Sequence, residues 1–393
     1  MARRASSFVV FIGIALSILG AVHGYIWVRL VSEPALPMVA RALLTLLVAA
    51  LYLNIPITFF LSRTRDFPLR KVVTTIGFVW LGVLFILFTL LLATDAVRLV
   101  AAVLSWLSGS ARVGDPDGRL TTARLFATLV ALLGGGAVIA ALRSGLGPVR
   151  VVEVRARLAR LPKELHGTTV VQLSDVHVGS ATIGRAFIER IVASVNALAP
   201  DVVAITGDLV DGPVATLRDA VAPLADLKSR YGTFFVTGNH EYYSGTEPWC
   251  NELTSLGVRV LRNERVLIGD DRSSFDLAGI DDIESRRFGG GPDLGKALEG
   301  RDPKRELVLL AHQPRAAFEA DKHGVGLQLS GHTHGGQIWP WNYLVYLQQP
   351  IVAGLAKIGR TLVYVSRGTG YWGPPMRLHA PAEITRIVLE SGT

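Results

Sequence analysis

SGHTHGGQ, residues 330–337, places two histidines one residue apart on a backbone that carries three glycines. No apolar face accompanies His332 and His334, so hydrophobic packing does not account for the pair. Glycine has no Cβ and adopts backbone angles that are closed to other residues, which lets the chain approach another group closely. The segment therefore predicts a place where two imidazoles reach a shared ligand.

This segment follows one of several short apolar runs in the second half of the chain. VGLQLS leads into it, and TTVVQLS, DVVAIT, GTFFVTG and ELVLLAH are similar strand-like runs. FDLAGI, TLVYVS and EITRIVL supply further strands, and apolar residues recur at helical spacing between 183 and 195. Strands that alternate with helices indicate a layered α/β domain.

Five of these strands end in polar residues, often with glycine beside them. Those residues are Asp175 and His177, Asp208 and Asp211, Asn239, His240 and Glu241, His312, and His332 and His334. In α/β sheets the strand ends form the rim where ligands bind. Imidazole and carboxylate together suit divalent transition metals such as Mn, Fe, Zn or Co. Seven ligands with one shared suit a two-metal site of the kind that phosphatases use.

The motifs resemble those of the calcineurin-like metallophosphoesterases. That family's pattern of DxH, GDxxD, GNH[ED], a later H and GHxH appears here as DVH, GDLVD, GNHE, AHQP and GHTH. The resemblance covers roughly 150–390, and LPKELHGTTVVQLSD, GHTHGGQ and VSRGTG are similar to its membrane-associated subgroup. It implies a β-sandwich flanked by helices that holds two divalent ions, Mn²⁺ first among them. It also implies hydrolysis of a phosphate ester by a hydroxide that the two ions share.

The resemblance further implies a role for each matched residue. The ligands of one ion would be Asp175, His177 and His334, those of the other Asn239, His312 and His332, and the shared ligand Asp208. His240 would act as the catalytic residue, facing the leaving group or a phosphate oxygen without binding metal. Asp211 and Glu241 would orient the ligands.

The first part of the chain is of a different kind. Its four long apolar runs lie at about 8–28, 42–61, 72–93 and 125–142. Each has, or nearly has, the roughly 20 residues that cross a bilayer core, and a soluble bundle would need polar faces that these runs lack. The predicted organisation is a transmembrane helical region over 1–145, a linker or edge strand over 146–167, and the α/β domain over 168–393.

Basic residues outside the apolar runs predict the orientation. They cluster in the N-terminal tail, the second loop and the stretch after the fourth run, as Arg3, Arg4, Arg63, Arg65, Arg70, Lys71, Arg143 and Arg150. The positive-inside rule then places the N-terminus and the α/β domain in the cytoplasm, at a bacterial inner or plasma membrane. Residues 95–107 are expected to form an amphipathic extension of the third helix or a surface helix, whereas a fifth crossing there would reverse the orientation. A cleaved or twin-arginine signal is the alternative for MARRASSFVVF.

Charge and cysteine content restrict the partners. The net charge of +8 suits nucleic acid, but much of it lies in membrane-flanking arginines, where attraction to anionic lipid accounts for it. The bilayer is therefore the expected partner, and nucleic acid is not. Cys250 is the single cysteine, which excludes an internal disulfide.

The segment IWPWNYLVYLQQP, directly after the histidine motif, is rich in aromatic residues. Its aromatic residues are Trp339, Trp341, Tyr343 and Tyr346. They suit either core packing or a lip that touches the membrane interface or an acyl chain. The lip interpretation predicts a lipid-linked substrate, and the resemblance makes UDP-2,3-diacylglucosamine of lipid A synthesis one candidate. The alternatives are a soluble-nucleotide phosphodiesterase with a membrane anchor, and a membrane sensor that binds metal without turnover.

Overall fold

The computed structural model describes residues 2–61, 69–108 and 116–392, except for the side chains of residues 2–9. Arg63 and Arg65, which entered the orientation argument, lie outside the described residues. The chain forms two compact units, Met1–Ala141 and Leu142–Thr393. The first is helical, and the second contains all the strands that the structure describes.

The helices of the N-terminal region are long and apolar. They are α1 (Ala2–Trp27, continued by a π-helical turn over Val28–Ser32), α2 (Met38–Leu61), α3 (Arg70–Leu107) and α4 (Pro116–Leu146). Among the described residues, four helices are long and apolar enough to cross a membrane, and only 11% to 28% of each apolar stretch is buried. A soluble bundle would bury such side chains, whereas a bilayer accommodates them. The chain is therefore a membrane protein with four apolar helices, as predicted.

Polar residues within this helical unit pair with one another. His23 is buried and accepts a hydrogen bond from the Trp80 indole at 2.9 Å. Residues 95–107 continue α3 without a break. Asp95, near the start of this stretch, forms an ion pair of 2.6 Å with Arg29 of the π-helical turn. Such pairing reduces the cost of polar groups in an apolar environment.

The C-terminal domain contains twelve strands among the described residues. They are β1 (Arg150–Leu158), β2 (Thr169–Leu173), β3 (Val202–Ile205), β4 (Thr233–Phe235), β5 (Val258–Val260), β6 (Glu264–Gly269), β7 (Ser274–Gly279), β8 (Leu307–Leu310), β9 (Leu327–Ser330), β10 (Gly354–Ile358), β11 (Thr361–Val365) and β12 (Glu383–Ser391). Its α-helices are α5 (Arg185–Ala197), α6 (Val214–Val221), α7 (Asn239–Ser244), α8 (Thr246–Ser255), α9 (Leu294–Ala297), α10 (Ala317–Lys322) and α11 (Trp341–Val345).

The strands form two six-stranded sheets. The strand order is β1-β12-β2-β3-β4-β5 in one and β10-β11-β9-β8-β7-β6 in the other. β2 to β5 run parallel to one another, as do β7, β8, β9 and β11. β1 is an edge strand and its side chains alternate in burial, which agrees with the alternating sequence VRVVEVRAR. Parallel strands bring their carboxyl ends to the same edge of a sheet, and this edge carries the predicted site.

Apolar side chains from both sheets meet in one core. Val170 and Val202 of the first sheet and Leu277 and Val308 of the second belong to the same buried cluster. Helices α5, α6 and α8 cover the outer face of the first sheet, and α9 and α10 pack on the second. The central strands are buried on both faces, which is why they are nearly continuous apolar runs. The predicted fold is confirmed: four apolar helices are followed along the chain by a β-sandwich flanked by helices.

Candidate metal centre

The strand ends bring the predicted ligands together. Three groups of side chains each place their ligand atoms within 4.8 Å of one another: Asp175, His177 and His334; His177, Asp208 and His240; and Asp208, His312 and His332. These groups contain six of the seven residues predicted to bind metal. Each group shares a residue with another, so the three form one continuous centre.

The first group places two imidazole nitrogens and a carboxylate around one point. Nε2 of His334 lies 3.1 Å from Nε2 of His177 and 3.5 Å from Oδ1 of Asp175. With metal–nitrogen bonds of about 2.1 Å, two ligands at right angles around one ion lie roughly 3 Å apart. The observed separations fit a cation held among these three side chains.

The group of Asp208, His312 and His332 is joined to the first group through the contact between Asp208 and His177. Nε2 of His312 lies 3.2 Å from Oδ2 of Asp208 and 3.3 Å from Nδ1 of His332. The same Oδ2 atom lies 4.0 Å from Nε2 of His177. A carboxylate oxygen between two histidine groups fits a ligand that two ions share.

The seventh predicted ligand, Asn239, is the first residue of α7 and is buried. Its Oδ1 atom has no hydrogen-bond partner among the residues that the structure describes. Leaving a buried polar atom unpaired costs about 1–3 kcal/mol, and an amide oxygen is a suitable donor for a divalent cation. The seven residues therefore fit a two-metal centre in their chemistry, and six of them also fit it in their spacing.

Backbone strain is concentrated at the same residues. Five of the predicted ligands have φ between 51° and 71°, namely Asp175, His177, Asp208, His332 and His334. Non-glycine residues rarely adopt this left-handed region. Each such residue costs about 1–3 kcal/mol, and strain of this kind persists where a functional geometry requires it.

Two glycines are needed because carboxylates approach the backbone closely. A Cβ at Gly331 would collide with Ser174 and with the carboxylate of Asp175. A Cβ at Gly238 would collide with the carboxylate and backbone of Asp208. The glycine in GHTH and the glycine in GNHE thus make room for the ligand oxygens. This is the physical reason for one of the three glycines that accompany the histidines in SGHTHGGQ.

Asp211 orients two of the histidines. One oxygen, Oδ1, lies 2.8 Å from Nδ1 of His177 and 2.6 Å from Nδ1 of His240. Burial alone would raise the pKa of Asp211, but the two histidines lower it, so the carboxylate is ionised. By accepting from both Nδ1 atoms it turns both Nε2 atoms toward the centre. His312 is oriented in the same way, because its Nδ1 lies 2.8 Å from the carbonyl oxygen of Thr206.

Glu241 anchors the loop that carries Asp208. It is fully buried, and its oxygens accept the backbone N–H groups of Gly238 at 2.6 Å, Asp208 at 3.0 Å and Leu209 at 2.8 Å. Burial and the Asp208 carboxylate raise the pKa of Glu241 to about 7, whereas the N–H donors favour its ionised form. Since every one of these bonds uses it as an acceptor, the ionised form matches the geometry.

Similarity to known proteins agrees with this geometry. The family model for the calcineurin-like phosphoesterase matches residues 168–336. A transmembrane protein with metallophosphoesterase domain from Danio rerio is 38% identical, over 98% of this chain and 89% of that protein. This chain belongs to the calcineurin-like phosphoesterase family. An uncharacterized metallophosphoesterase from Campylobacter jejuni is 33% identical, over 98% of this chain and 99% of that protein. One from Helicobacter pylori is 43% identical, over 62% of this chain and 65% of that protein.

The phosphoesterase is thus a metal-dependent hydrolase of phosphoric esters, and His240 lies at the edge of its centre. Nε2 of His240 is 3.9 Å from Oδ2 of Asp208, and the side chain is partly exposed. Burial alone would lower the pKa of His240, but the carboxylates of Asp208 and Asp211 raise it to about 9. A ring nitrogen of His240 also lies within 4.8 Å of the ligand atoms of His177 and Asp208. Its predicted role as a residue that does not bind metal stays a prediction.

The aromatic segment after GHTH lies on the surface of the phosphoesterase. Trp339, Trp341, Tyr343 and Tyr346 are between 47% and 62% exposed, so core packing does not account for them. We call residues 338–347 the aromatic lip. The lip begins directly after Gln337, and the backbone N–H of Trp339 donates to the carbonyl oxygen of Leu378 at 3.1 Å.

Three residues that sequence reasoning missed lie beside the centre. Tyr243 and Trp372 border the ring of His240, and Arg377 is fully buried with Nη2 3.2 Å from Nδ1 of His334. Arg377 also donates to the backbone carbonyls of its own loop. Tyr243 directly follows the GNHEY stretch, which was a usable signal. No local pattern indicates Trp372 or Arg377, because their loop reaches the centre only through the fold.

Proposed function

We propose that this phosphoesterase binds two divalent ions, Mn²⁺ in the cell, and hydrolyses a phosphate ester or pyrophosphate in a lipid-linked substrate. The observation that carries the proposal is the continuous centre of seven ligands with an exposed aromatic lip beside it. The ligands account for the chemistry. The lip and the four apolar helices account for the choice of a lipid-linked substrate.

The residues fit a division of labour at this centre. Asp175, His177 and His334 would hold one ion, Asn239, His312 and His332 the other, and Asp208 both. When bound, two such ions supply a water nucleophile of lowered pKa and neutralise charge on the phosphate oxygens. Side chains of this chain would carry out every other step at the centre.

His240 is suited to the leaving-group side of the reaction. Asp211 holds its Nδ1 at 2.6 Å, which leaves Nε2 as the atom that faces the substrate. Burial lowers the pKa of this imidazole, but the carboxylates of Asp208 and Asp211 raise it by more, which favours the protonated form. A protonated imidazole donates a proton to, or stabilises, a departing oxyanion, and one such group contributes about 10²–10⁴-fold in rate.

The aromatic lip is suited to a lipid surface. Trp339, Trp341, Tyr343, Leu344, Tyr346 and Leu347 are all exposed large apolar side chains. Tryptophan and tyrosine favour the headgroup region of a bilayer, where one part of the ring is apolar and the other polar. An exposed apolar patch marks a contact site for a membrane, a ligand or another protein, and the tryptophan and tyrosine content of the lip favours the membrane. We therefore assign the bilayer as the partner of the lip.

The distribution of basic residues supports a cytoplasmic catalytic domain at a bacterial inner or plasma membrane. Arg70 and Lys71 begin α3, and Arg143 and Arg150 flank the end of α4. These helix ends share one side of the membrane if the four helices cross it in turn, and the positive-inside rule makes that side the cytoplasm.

A substrate screen tests the proposed function. The full-length protein in detergent micelles, loaded with Mn²⁺, would be given phospholipids and UDP-2,3-diacylglucosamine in micelles, and soluble nucleotides and nucleotide sugars. We expect hydrolysis of a micellar lipid-linked phosphate with higher kcat/KM than of any soluble ester. Faster hydrolysis of a soluble nucleotide would favour the phosphodiesterase alternative. No hydrolysis of any ester by the metal-loaded protein would favour the sensor alternative.

A further inference from the structure

Two exposed aromatic side chains border the imidazole of His240. The ring centroid of Tyr243 lies 5.5 Å from that of His240, and the Trp372 centroid lies 6.2 Å away. Tyr243 is 57% exposed and Trp372 is 52% exposed, so neither ring is part of the core. The solvent-facing surroundings of His240 therefore include two large apolar surfaces.

The backbone of Trp372 is held in place by Gln337. The Gln337 amide donates to the carbonyl oxygen of Trp372 at 2.9 Å and to that of Pro374 at 3.1 Å. In return, the Trp372 N–H donates to Oε1 of Gln337 at 3.0 Å. Gln337 follows the GHTHGG segment, so this clamp connects the loop of Trp372 to the segment that carries the metal ligands.

Tyr243 is held by a different element. It lies three residues after His240 on α7, and residues at this spacing are neighbours on a helix surface. The backbone that carries each ring is thus held in place before a ligand arrives. Binding loses less conformational entropy at a surface that is already ordered.

We propose that Tyr243 and Trp372 form the leaving-group subsite of the phosphoesterase, and that they contact a ring with a flat, uncharged face. The inference rests on the proposed function, in which His240 faces the leaving group and the phosphate lies at the metal centre. A group that departs past His240 must pass the two rings that border it. A ring offers each aromatic side chain a surface for stacked or edge-to-face contact.

The subsite also predicts that the substrate carries a ring on its leaving group. A phosphate monoester of a small alcohol has nothing to place against Tyr243 and Trp372, whereas a sugar or nucleobase headgroup does. The clamp through Gln337 joins the loop of Trp372 to the segment that leads into the aromatic lip. We therefore infer that the leaving group is the ring-bearing part of the substrate.

Binding of two phosphonates tests the subsite. Methylphosphonate and phenylphosphonate share the group that goes to the metal centre, and differ only in the substituent that stands where the leaving group would be. Their Kd values would be measured by titration calorimetry with full-length, metal-loaded protein in micelles. We expect phenylphosphonate to bind about tenfold more tightly to the wild-type protein, which corresponds to ring contacts of ordinary strength.

The variants test whether the preference for phenylphosphonate depends on these two rings or on a general change in the protein. Trp372→Ala and Tyr243→Ala should each reduce the preference for phenylphosphonate by about threefold to tenfold, with the Kd of methylphosphonate changed less than twofold. Trp372→Phe should keep most of the preference. The matched control is Phe318→Ala, because Phe318 is 56% exposed on α10 and has no place in the site. It should change neither Kd.

The outcomes are distinguishable. A wild-type protein that binds methylphosphonate without preferring phenylphosphonate contradicts the subsite and leaves the proposed function intact, because the rings then only shield His240 from solvent. The same conclusion follows if Phe318→Ala reduces the preference as much as Trp372→Ala. A wild-type protein that binds neither phosphonate and hydrolyses no ester contradicts the proposed function, and the subsite with it.

Discussion

Replacing Glu241 by Gln is expected to weaken both the folded domain and its metal centre. The carboxylate accepts four backbone N–H groups: Oε2 accepts those of Gly238 and Asp208, and Oε1 accepts those of Leu209 and Val210. Glutamine has nearly the same shape but only one oxygen. Whichever way its amide is turned, its NH₂ group faces at least one backbone donor, and that donor loses its partner.

The magnitude follows from the number of bonds lost. A hydrogen bond to a charged group contributes about 1.5–3 kcal/mol. If the glutamine oxygen takes the place of Oε2, the bond from Leu209 at 2.8 Å and the longer bond from Val210 at 3.4 Å are lost, so the range for one bond is the minimum cost. For a domain of 150–250 residues, each kcal/mol shifts Tm by about 2–4 °C. The expected decrease in Tm is therefore at least about 3–12 °C.

The assay is thermal unfolding of the full-length protein in micelles, followed by tryptophan fluorescence at pH 8. At this pH the carboxylate of Glu241 is ionised, because its pKa is raised only to about 7. Metal affinity, measured by titration on the same samples, should also fall, since Asp208 loses the anchor of its backbone. Glu252→Gln is the matched control. Glu252 is also buried, but its ion pair is with Arg218, which is 65% exposed, and such a pair contributes at most about 1 kcal/mol.

One result would refute this reasoning. If Glu241→Gln unfolds at the wild-type Tm and binds metal with wild-type affinity, the backbone donors find other partners at no cost. The carboxylate would then not be the anchor of the Asp208 loop. A decrease in Tm as large in Glu252→Gln would equally show that the loss is not specific to these bonds.

Four further outcomes are expected. Asp208→Asn should lose most activity and at least one ion, whereas His240→Ala should keep both ions and lose about 10²–10⁴-fold in rate; metal analysis separates a ligand from an acid–base group. Replacing Trp339 and Trp341 by Ala should raise KM for a micellar lipid substrate and leave hydrolysis of a soluble aryl phosphate unchanged; an equal loss on both would assign the tryptophans a structural role. A reporter that is active only after export should stay silent when fused to the C-terminus, and strong activity would contradict the cytoplasmic orientation. Burial raises the pKa of Cys250 to about 11, so at pH 9 only about 1% is thiolate, and alkylation should be at least about fiftyfold slower than for a free thiol until the protein unfolds.

Much of the fold follows from local patterns in the sequence. Eight of the strands coincide with apolar runs such as TTVVQLS and ELVLLAH, because strands buried on both faces are nearly continuous in apolar residues. The three strands that sequence reasoning missed are β5, β6 and β10. β5 has only three residues, and the side chains of β6 and β10 are buried in part, so their sequences lack a continuous apolar run.

The ligand set is equally local. Each predicted ligand lies within four residues after the end of a strand, and parallel strands bring their carboxyl ends to one edge of each sheet. Asp211 and Glu241 share segments with ligands, so they too could be singled out. What the sequence could not show is the conformation of these residues, such as the left-handed backbone of His332 and His334.

The surroundings of the centre were decided by the tertiary structure alone. Trp372 and Arg377 lie in a loop more than a hundred residues from His240 along the chain, and they reach the centre because β11 and β12 flank that loop in two different sheets. The aromatic lip was ambiguous in sequence, since tryptophan and tyrosine suit a core as well as a surface, and only the packing of α11 left it exposed. The sequence by itself determined the metal chemistry and the membrane helices, because both depend on short segments. Contacts between distant segments brought Trp372 beside His240 and Arg377 beside His334, because those contacts depend on how the two sheets are packed.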